Sequence, residues 1–332
     1  MNKLNSKASK AFSLIELSIV ILIIGIIVAG ITQSSRLVTQ SKLKSAQNLT
    51  SSSPVAGIKS VSLWLEPTLD ASFPSSLDDE AFITQWNDTN PQTPSKLYAI
   101  PASGSSSLNI AYDSNGINGL PSIKFAGSAT NAGVLSVSTT PVSTVSPFLT
   151  ETPVITVDDP KNANAFTAFV VYNLASDATT ASMYNILYDG VSGTNGNGWG
   201  YYRASTTGIR TAVIGGTTAT ASTGGATLPV NRAEIATITF SGNLLGSSTG
   251  TRVTRLYING ANGFTTTNGI NNPDTNIITP TTRMLIGSAN PAGNNPWKGL
   301  ISEIIIFDSV LKNQDLKDVA SYLSKKYGIS LQ

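Results

Sequence analysis

Few kinds of side chain in this sequence can carry chemistry. Histidine and cysteine are both absent from its 332 residues. That removes the commonest general base, the commonest metal ligands and every Ser-His or Cys-His nucleophile in one step. Carboxylates remain, yet no strand-like run offers the alternating acids that set two carboxyl groups about 5 Å apart for retaining glycoside hydrolysis, and no enzyme is expected. Three groupings are left. Glu16 is the single charged residue between Phe12 and Ile31, a stretch otherwise mostly apolar. Trp199, Tyr201 and Tyr202 follow a Gly/Asn-rich run that includes Asn197. Aromatic faces beside amides suit a neutral sugar, and ordinary sheet packing explains them as well. Last come the oxygen donors Asp113 and Asn115 in "YDSNGING" and Asp274 and Asn276 in "NNPDTN". An EF-hand loop would want a further oxygen where Ile117 stands, and Asx turns account for these residues equally.

The element that positions Glu16 is a helix. Ile19 to Ile31 is a run of thirteen residues without a polar side chain, and twenty residues at ~1.5 Å each span a bilayer core of roughly 30 Å. Isoleucine and valine dominate it; these are poor helix formers in water, but in lipid unpaired backbone groups are prohibitive and helix is the default. A carboxylate inside a bilayer costs roughly 2.5 to 3.5 kcal/mol on insertion scales and is normally paired. Snorkelling to the headgroups is the alternative for Glu16. A cleaved secretory signal or a plain signal anchor would also present a basic start and an apolar run, and the flanking Lys3, Lys7, Lys10, Arg36, Lys42 and Lys44 do not settle orientation. Beyond the run, polar residues broken by Leu37, Val38 and Leu43 predict continuation to about Leu49, before a serine run and Pro54 stop the helix.

"KAFSLIELSIVILIIGIIVAGI" resembles the processing segment of type IV pilins and the related type II secretion pseudopilins. The resemblance implies cleavage between Ala11 and Phe12 by a prepilin peptidase, N-methylation of Phe12, and a filament-assembly role for Glu16. Ala11 replaces the glycine more usual before the cut, and the helix-loosening proline of many pilins is missing. Implied partners are further copies of the subunit, the peptidase, the pilus assembly machinery, and the bacterial inner membrane before assembly into an extracellular filament.

The rest of the chain is close to neutral. The formal charge is +2, and without Lys3, Lys7 and Lys10 it holds eighteen basic residues against nineteen acidic. No basic cluster interleaved with aromatics occurs, so nucleic acid is not an expected partner. Short apolar or alternating runs between Gly, Asn, Ser and Pro predict strands over 60–65, 122–125, 166–172, 184–188, 200–204, 210–214, 234–240, 252–258, 283–286 and 300–308, a mainly β antiparallel sandwich or jelly roll. Asn259-Gly260 marks a type I′ hairpin. "NQDLKDVASYLSKKYGI" predicts one terminal helix, capped by Asn313, closed by Gly328, with Lys325 and Lys326 at its negative end and an apolar stripe of Leu316, Val319, Ala320, Leu323 and Tyr327 against the core.

"VSLWLEPTLDASF", "NGINGLPSIKFAG", "FTAFVVY", "RLYINGANG" and "WKGLISEIIIFDSVL" with the helix after it look like successive blocks of a laminin-G-like, concanavalin A-like domain. That resemblance implies a two-sheet sandwich that in its relatives often binds glycans or other surface ligands, sometimes with calcium, though no motif here supports the metal. The expected organisation is a leader over 1–11, a membrane and assembly helix over 12–50, a linker over 51–59 and the sandwich over 60–332. Expected function is a pilin-like, adhesive filament subunit. A secretion pseudopilin and a membrane-tethered glycan-binding protein that never polymerises are the other two readings.

Overall fold

The computed structural model describes residues 13–94, 96–102, 109–127, 132–138, 165–178, 184–190, 198–203, 209–215, 221–241, 251–269, 284–289 and 295–332. The chain divides into two compact units, Met1–Ser45 and Ala46–Gln332.

Helix α1 runs over Leu14–Ser51, close to the predicted end. Its last turn is closed by its own hydroxyls. Thr50, Ser51 and Ser52 each donate to the carbonyl four residues earlier, at 2.9, 2.9 and 2.8 Å, a second bond to carbonyls within reach of the i+4 amide, as for Asn48, which also takes the Ser52 N–H at 3.0 Å. Pro54 then opens a 3-10 turn, Pro54–Gly57.

The strands in chain order are β1 (Val61–Leu65), β2 (Trp86–Asn87), β3 (Tyr98–Pro101), β4 (Ile110–Asp113), β5 (Ser122–Ala126), β6 (Leu135–Ser138), β7 (Ala165–Leu174) and β8 (Tyr184–Gly190). There follow β9 (Gly198–Arg203), β10 (Ile209–Gly215), β11 (Ala221–Thr227), β12 (Ala233–Ser241), β13 (Thr251–Ile258), β14 (Ala261–Gly269), β15 (Leu285–Ile286) and β16 (Lys298–Phe307). One antiparallel sheet has the order β14-β13-β12-β7-β16-β5-β4, with β1 also paired to β16; the other runs β11-β10-β9-β8-β15-β6-β3-β2. The protein is mainly β, a jelly-roll-like sandwich with a long helix at its start and a short one, α2 (Asn313–Tyr327), at its end.

Strands β7 and β16 are the spine, and both are apolar on both faces because both faces are covered. Phe166, Ala168, Val170, Tyr172 and Leu174 of β7 enter the core between the sheets with Ile301, Ile304 and Ile306 of β16. Phe169 and Val171 point the other way with Ile305 and Phe307, under Val319, Leu323 and Tyr327 of α2. A register shift between Ile301 and Glu303 interrupts β16, and the Glu303 carboxylate comes to meet α2.

Every predicted strand has a counterpart, but β2, β3, β4, β6, β11 and β14 go beyond the prediction. Their sequences are short or rich in Ser, Thr, Gly and Asn, and pairing to a neighbour, not an apolar pattern of their own, makes them strands. Asn259 and Gly260 take positive φ of 52° and 79° and join β13 to β14 as expected. At α2 the expected cap is corrected. Lys312, extended at φ −63° and ψ 153°, is the N-cap and makes no side-chain cap bond, while Asn313 is the first helical residue. Gly328 closes the helix in the left-handed region at φ 63°, its N–H donating to the Ser324 carbonyl.

Candidate functional site

Between Leu14 and Ile31 the large aliphatic side chains are exposed, Leu14 by 85% and Ile24 by 53%. Burying one such side chain is worth about 1.5–3 kcal/mol, so thirteen of them represent tens of kcal/mol that water does not compensate. The stretch is long and apolar enough to cross a membrane. At its start, the Glu16 carboxylate accepts the Ser13 N–H at 2.9 Å, and the Ile15 N–H reaches the Ser13 hydroxyl at 3.4 Å. Glu16 thus makes the back-reaching half of an S-x-x-E capping box, while the Ser13 hydroxyl takes the Ile15 amide, and one carboxylate oxygen is occupied within the chain. Ala11 and Phe12 lie outside the described residues.

The aromatic grouping is split by the alternation of β9. Trp199 and Tyr201 point into the core between the sheets; Trp199 packs on Phe166 with ring centroids 4.7 Å apart, and the Tyr201 hydroxyl lies 2.8 Å from that of Tyr172. Tyr172 in turn donates to Glu234 at 3.0 Å, and Arg232 pairs with Glu234 at 2.7 Å. Neither aromatic face meets solvent. Tyr202 is on the opposite face and is half-buried, with its hydroxyl pKa raised by that burial. Asn197, Asp274 and Asn276 lie outside the described residues, so Tyr202 alone of the grouping is left on an outer face.

The oxygen donors also resolve into local structure. Asp113 accepts the Asn115 N–H at 3.0 Å, an Asx turn, and the neighbouring Asp79 accepts both the N–H and the hydroxyl of Ser114 at 2.8 Å. Among the described residues no group of three or more acidic side chains could hold a metal ion, and the roughly six to eight oxygens that calcium takes are not gathered here.

A different cluster is built where nothing was expected. Lys326, on the buried face of α2, places its ammonium 2.9 Å from Glu66 Oε2 and 2.9 Å from Glu303 Oε2, with all three side chains buried. Its third proton goes to the Tyr322 hydroxyl at 3.2 Å. Glu303 also accepts the Trp64 indole N–H (2.8 Å) and the hydroxyls of Tyr322 (2.8 Å) and Tyr327 (3.0 Å). Glu66 also accepts the N–H and hydroxyl of Thr68, the Leu69 N–H and the Ser72 hydroxyl at 2.6 to 3.0 Å. Burial works against the Lys326 charge, but the two carboxylates outweigh it and hold the ammonium pKa above its ordinary value. Burial likewise works to raise Glu66, and Lys326 with the Thr68 and Ser72 donors brings it below the ordinary carboxylate value. Every oxygen is already engaged, so the pair has neither access nor a free lone pair for acid-base work on a substrate. A sequence signal existed. Lys326 falls on the same face of α2 as Val319 and Leu323, and Glu66 and Glu303 interrupt the apolar runs "LWLEP" and "ISEIIIF".

Two family models match the chain. The concanavalin A-like lectin/glucanases superfamily matches over residues 149–317, and the prokaryotic N-terminal methylation motif over residues 6–32. Among solved structures the chain is similar to a Trypanosoma rangeli sialidase in complex with the inhibitor DANA, at 11% identity and a TM-score of 0.44, covering 85% of this chain and 38% of that one. It is also similar to the binding domain of botulinum neurotoxin DC in complex with SialylT, at 14% identity and a TM-score of 0.49, covering 80% of this chain and 52% of that one. The chain thus spans about half or less of the solved chains it matches. No curated protein matches it.

Proposed function

This chain belongs to the concanavalin A-like lectin/glucanases superfamily, and on that premise we propose that it is the subunit of a type IV pilin-like cell-surface filament that displays a lectin-like sandwich for adhesion. The observation that carries the reading is the methylation motif over residues 6–32 on a helix whose large aliphatic side chains are exposed from Leu14 to Ile31. Such a helix is at rest in lipid first and against other copies of itself afterwards. A prepilin peptidase cuts between Ala11 and Phe12, methylates the new amine, and the pilus machinery draws the subunit from the inner membrane into the filament. Glu16 then exchanges its contact with the Ser13 amide for the amine of a neighbouring copy, which turns the cost of a carboxylate near lipid into subunit attraction. The head supplies the ligand-binding surface, a glycan being the class its fold suggests.

Mass spectrometry of the purified protein tests this. The expected N-terminus is Phe12 carrying one added methyl group; an intact Met1, or a start near Ile31, removes the reading.

A further inference from the structure

We propose that the buried Glu66–Lys326–Glu303 cluster is the joint that fixes the end of α1 to the sandwich, by holding the Tyr322 hydroxyl and the Thr68 carbonyl in place for Thr50 and Gln47. These two α1 residues lie about one turn apart and reach the cluster from different sides. The Gln47 amide donates to the Thr68 carbonyl at 3.0 Å, and Thr68 is itself pinned through its N–H and hydroxyl to Glu66. Thr50 Oγ1 lies 3.3 Å from the Tyr322 hydroxyl. Tyr322 gives its proton to Glu303 and accepts one from Lys326, so Thr50 is the donor there and shares its single proton with the Ala46 carbonyl. Ala46 is buried and Leu49 packs on the same apolar cluster as Trp64, Val319 and Leu323.

Stability alone does not explain so many charges in one place. Replacing a buried ion triad with well-packed apolar residues is often neutral or stabilising. What the charges add is direction. Apolar contact is non-directional and lets a helix slide or roll on its seat, whereas oriented bonds to the Thr68 carbonyl and the Tyr322 hydroxyl, themselves held by ionised groups, set one register. The four segments joined are the end of α1, the chain after β1, β16 and α2. The pairing lies at the point where α1 stops, three residues before Pro54. The use of this joint, to pass load from the helix to the head, rests on the filament reading; the joint itself does not.

Hydrogen exchange on the full chain in detergent micelles tests it, with two mild variants. Gln47→Ala/Thr50→Val cuts both links on the α1 side and leaves the ion cluster whole. Tyr322→Phe removes the hydroxyl through which Glu303 and Lys326 reach Thr50. Lys326→Met strands two buried carboxylates and threatens the whole head, so the milder pair carries the test. Expected is an exchange rate for amides 47–53 at least tenfold above wild type in both variants, with β7 and β12 amides within twofold of wild type. The joint is overturned if 47–53 stays within twofold of wild type in either variant, or if β7 and β12 rise equally with it. Failure of the filament reading shows instead as an uncut N-terminus and leaves these rates unchanged.

Discussion

Removing the Lys326 charge leaves Glu66 and Glu303 buried against each other with only neutral donors. Breaking a buried ion pair from one side costs about 3–5 kcal/mol, so Lys326→Met is expected to lower the urea midpoint of the head by a matching amount. The triple change Glu66→Gln/Lys326→Met/Glu303→Gln should recover much of that loss, and a triple variant no more stable than the single would show that the charges are not what the site depends on. The pH dependence follows from the two directions of shift. Lys326 is raised, so its contribution is complete below the ordinary lysine value of 10.5 and disappears as pH climbs through the folded value. Glu66 is lowered, so its contribution is complete above the ordinary value of 4.5 and disappears as pH falls through the folded value. Urea midpoints measured across pH should therefore show this cluster's contribution flat between about 4.5 and 10.5 and falling outside both limits. Glu16 belongs to the same scale. Because glutamine can also complete the bond to Ser13, Glu16→Gln should leave insertion of the helix intact while filament incorporation fails. Normal incorporation, scored by immunoblot of sheared fibres, would remove the charge from the assembly step.

Helix α2 shows how an element can be right in extent and wrong in detail. Its stripe of Leu316, Val319, Ala320, Leu323 and Tyr327 packs where periodicity places it, since any 3.6-period apolar face seeks a core. The capping residue was not legible, and for Lys326 only its place on the apolar face was, not its two carboxylate partners. Asn313 is a good capping type, yet the backbone turns one residue earlier, at Lys312, whose side chain makes no cap bond. Lys312→Asp should therefore supply the missing acceptor at the helix N-terminus and raise stability by about 0.5–1 kcal/mol, read as a higher melting temperature; an unchanged or lower one would put the helix start elsewhere. β9 teaches the complementary lesson. Two-residue alternation sends Trp199 and Tyr201 inward and Tyr202 outward, so a cluster of aromatics close in sequence is divided between core and surface. Trp199→Ala is expected to cost about 3–5 kcal/mol of head stability, measured by urea unfolding, which no surface platform residue would.

For the whole molecule the division into Met1–Ser45 and Ala46–Gln332 predicts separable behaviour. Residues 46–332 expressed alone should be monomeric in water by analytical ultracentrifugation, and the full chain should need detergent. What the amino-acid sequence determined by itself was whatever depends on composition and local period: a membrane-length apolar helix with one carboxylate, a mainly β head with turns at Asn and Gly, a terminal helix with an apolar stripe, and the lack of any histidine or cysteine chemistry. Ten strands were readable because their own residues alternate or run apolar. Six were not, because strands such as β11, "ASTGGAT", and β14, "ANGFTTTNG", exist through the ladder they join. The tertiary structure alone decided which polar residues are buried together. Glu66, Glu303 and Lys326 lie 237 and 23 positions apart in the chain, and no local pattern links them. Their meeting depends on β1 and β16 being neighbours, on the register shift in β16 and on the angle at which α2 lies across the sheet. Burial and pairing are properties of the closed sandwich, because the low-dielectric interior that makes an ion cluster necessary appears only when the sheets and the helix have come together.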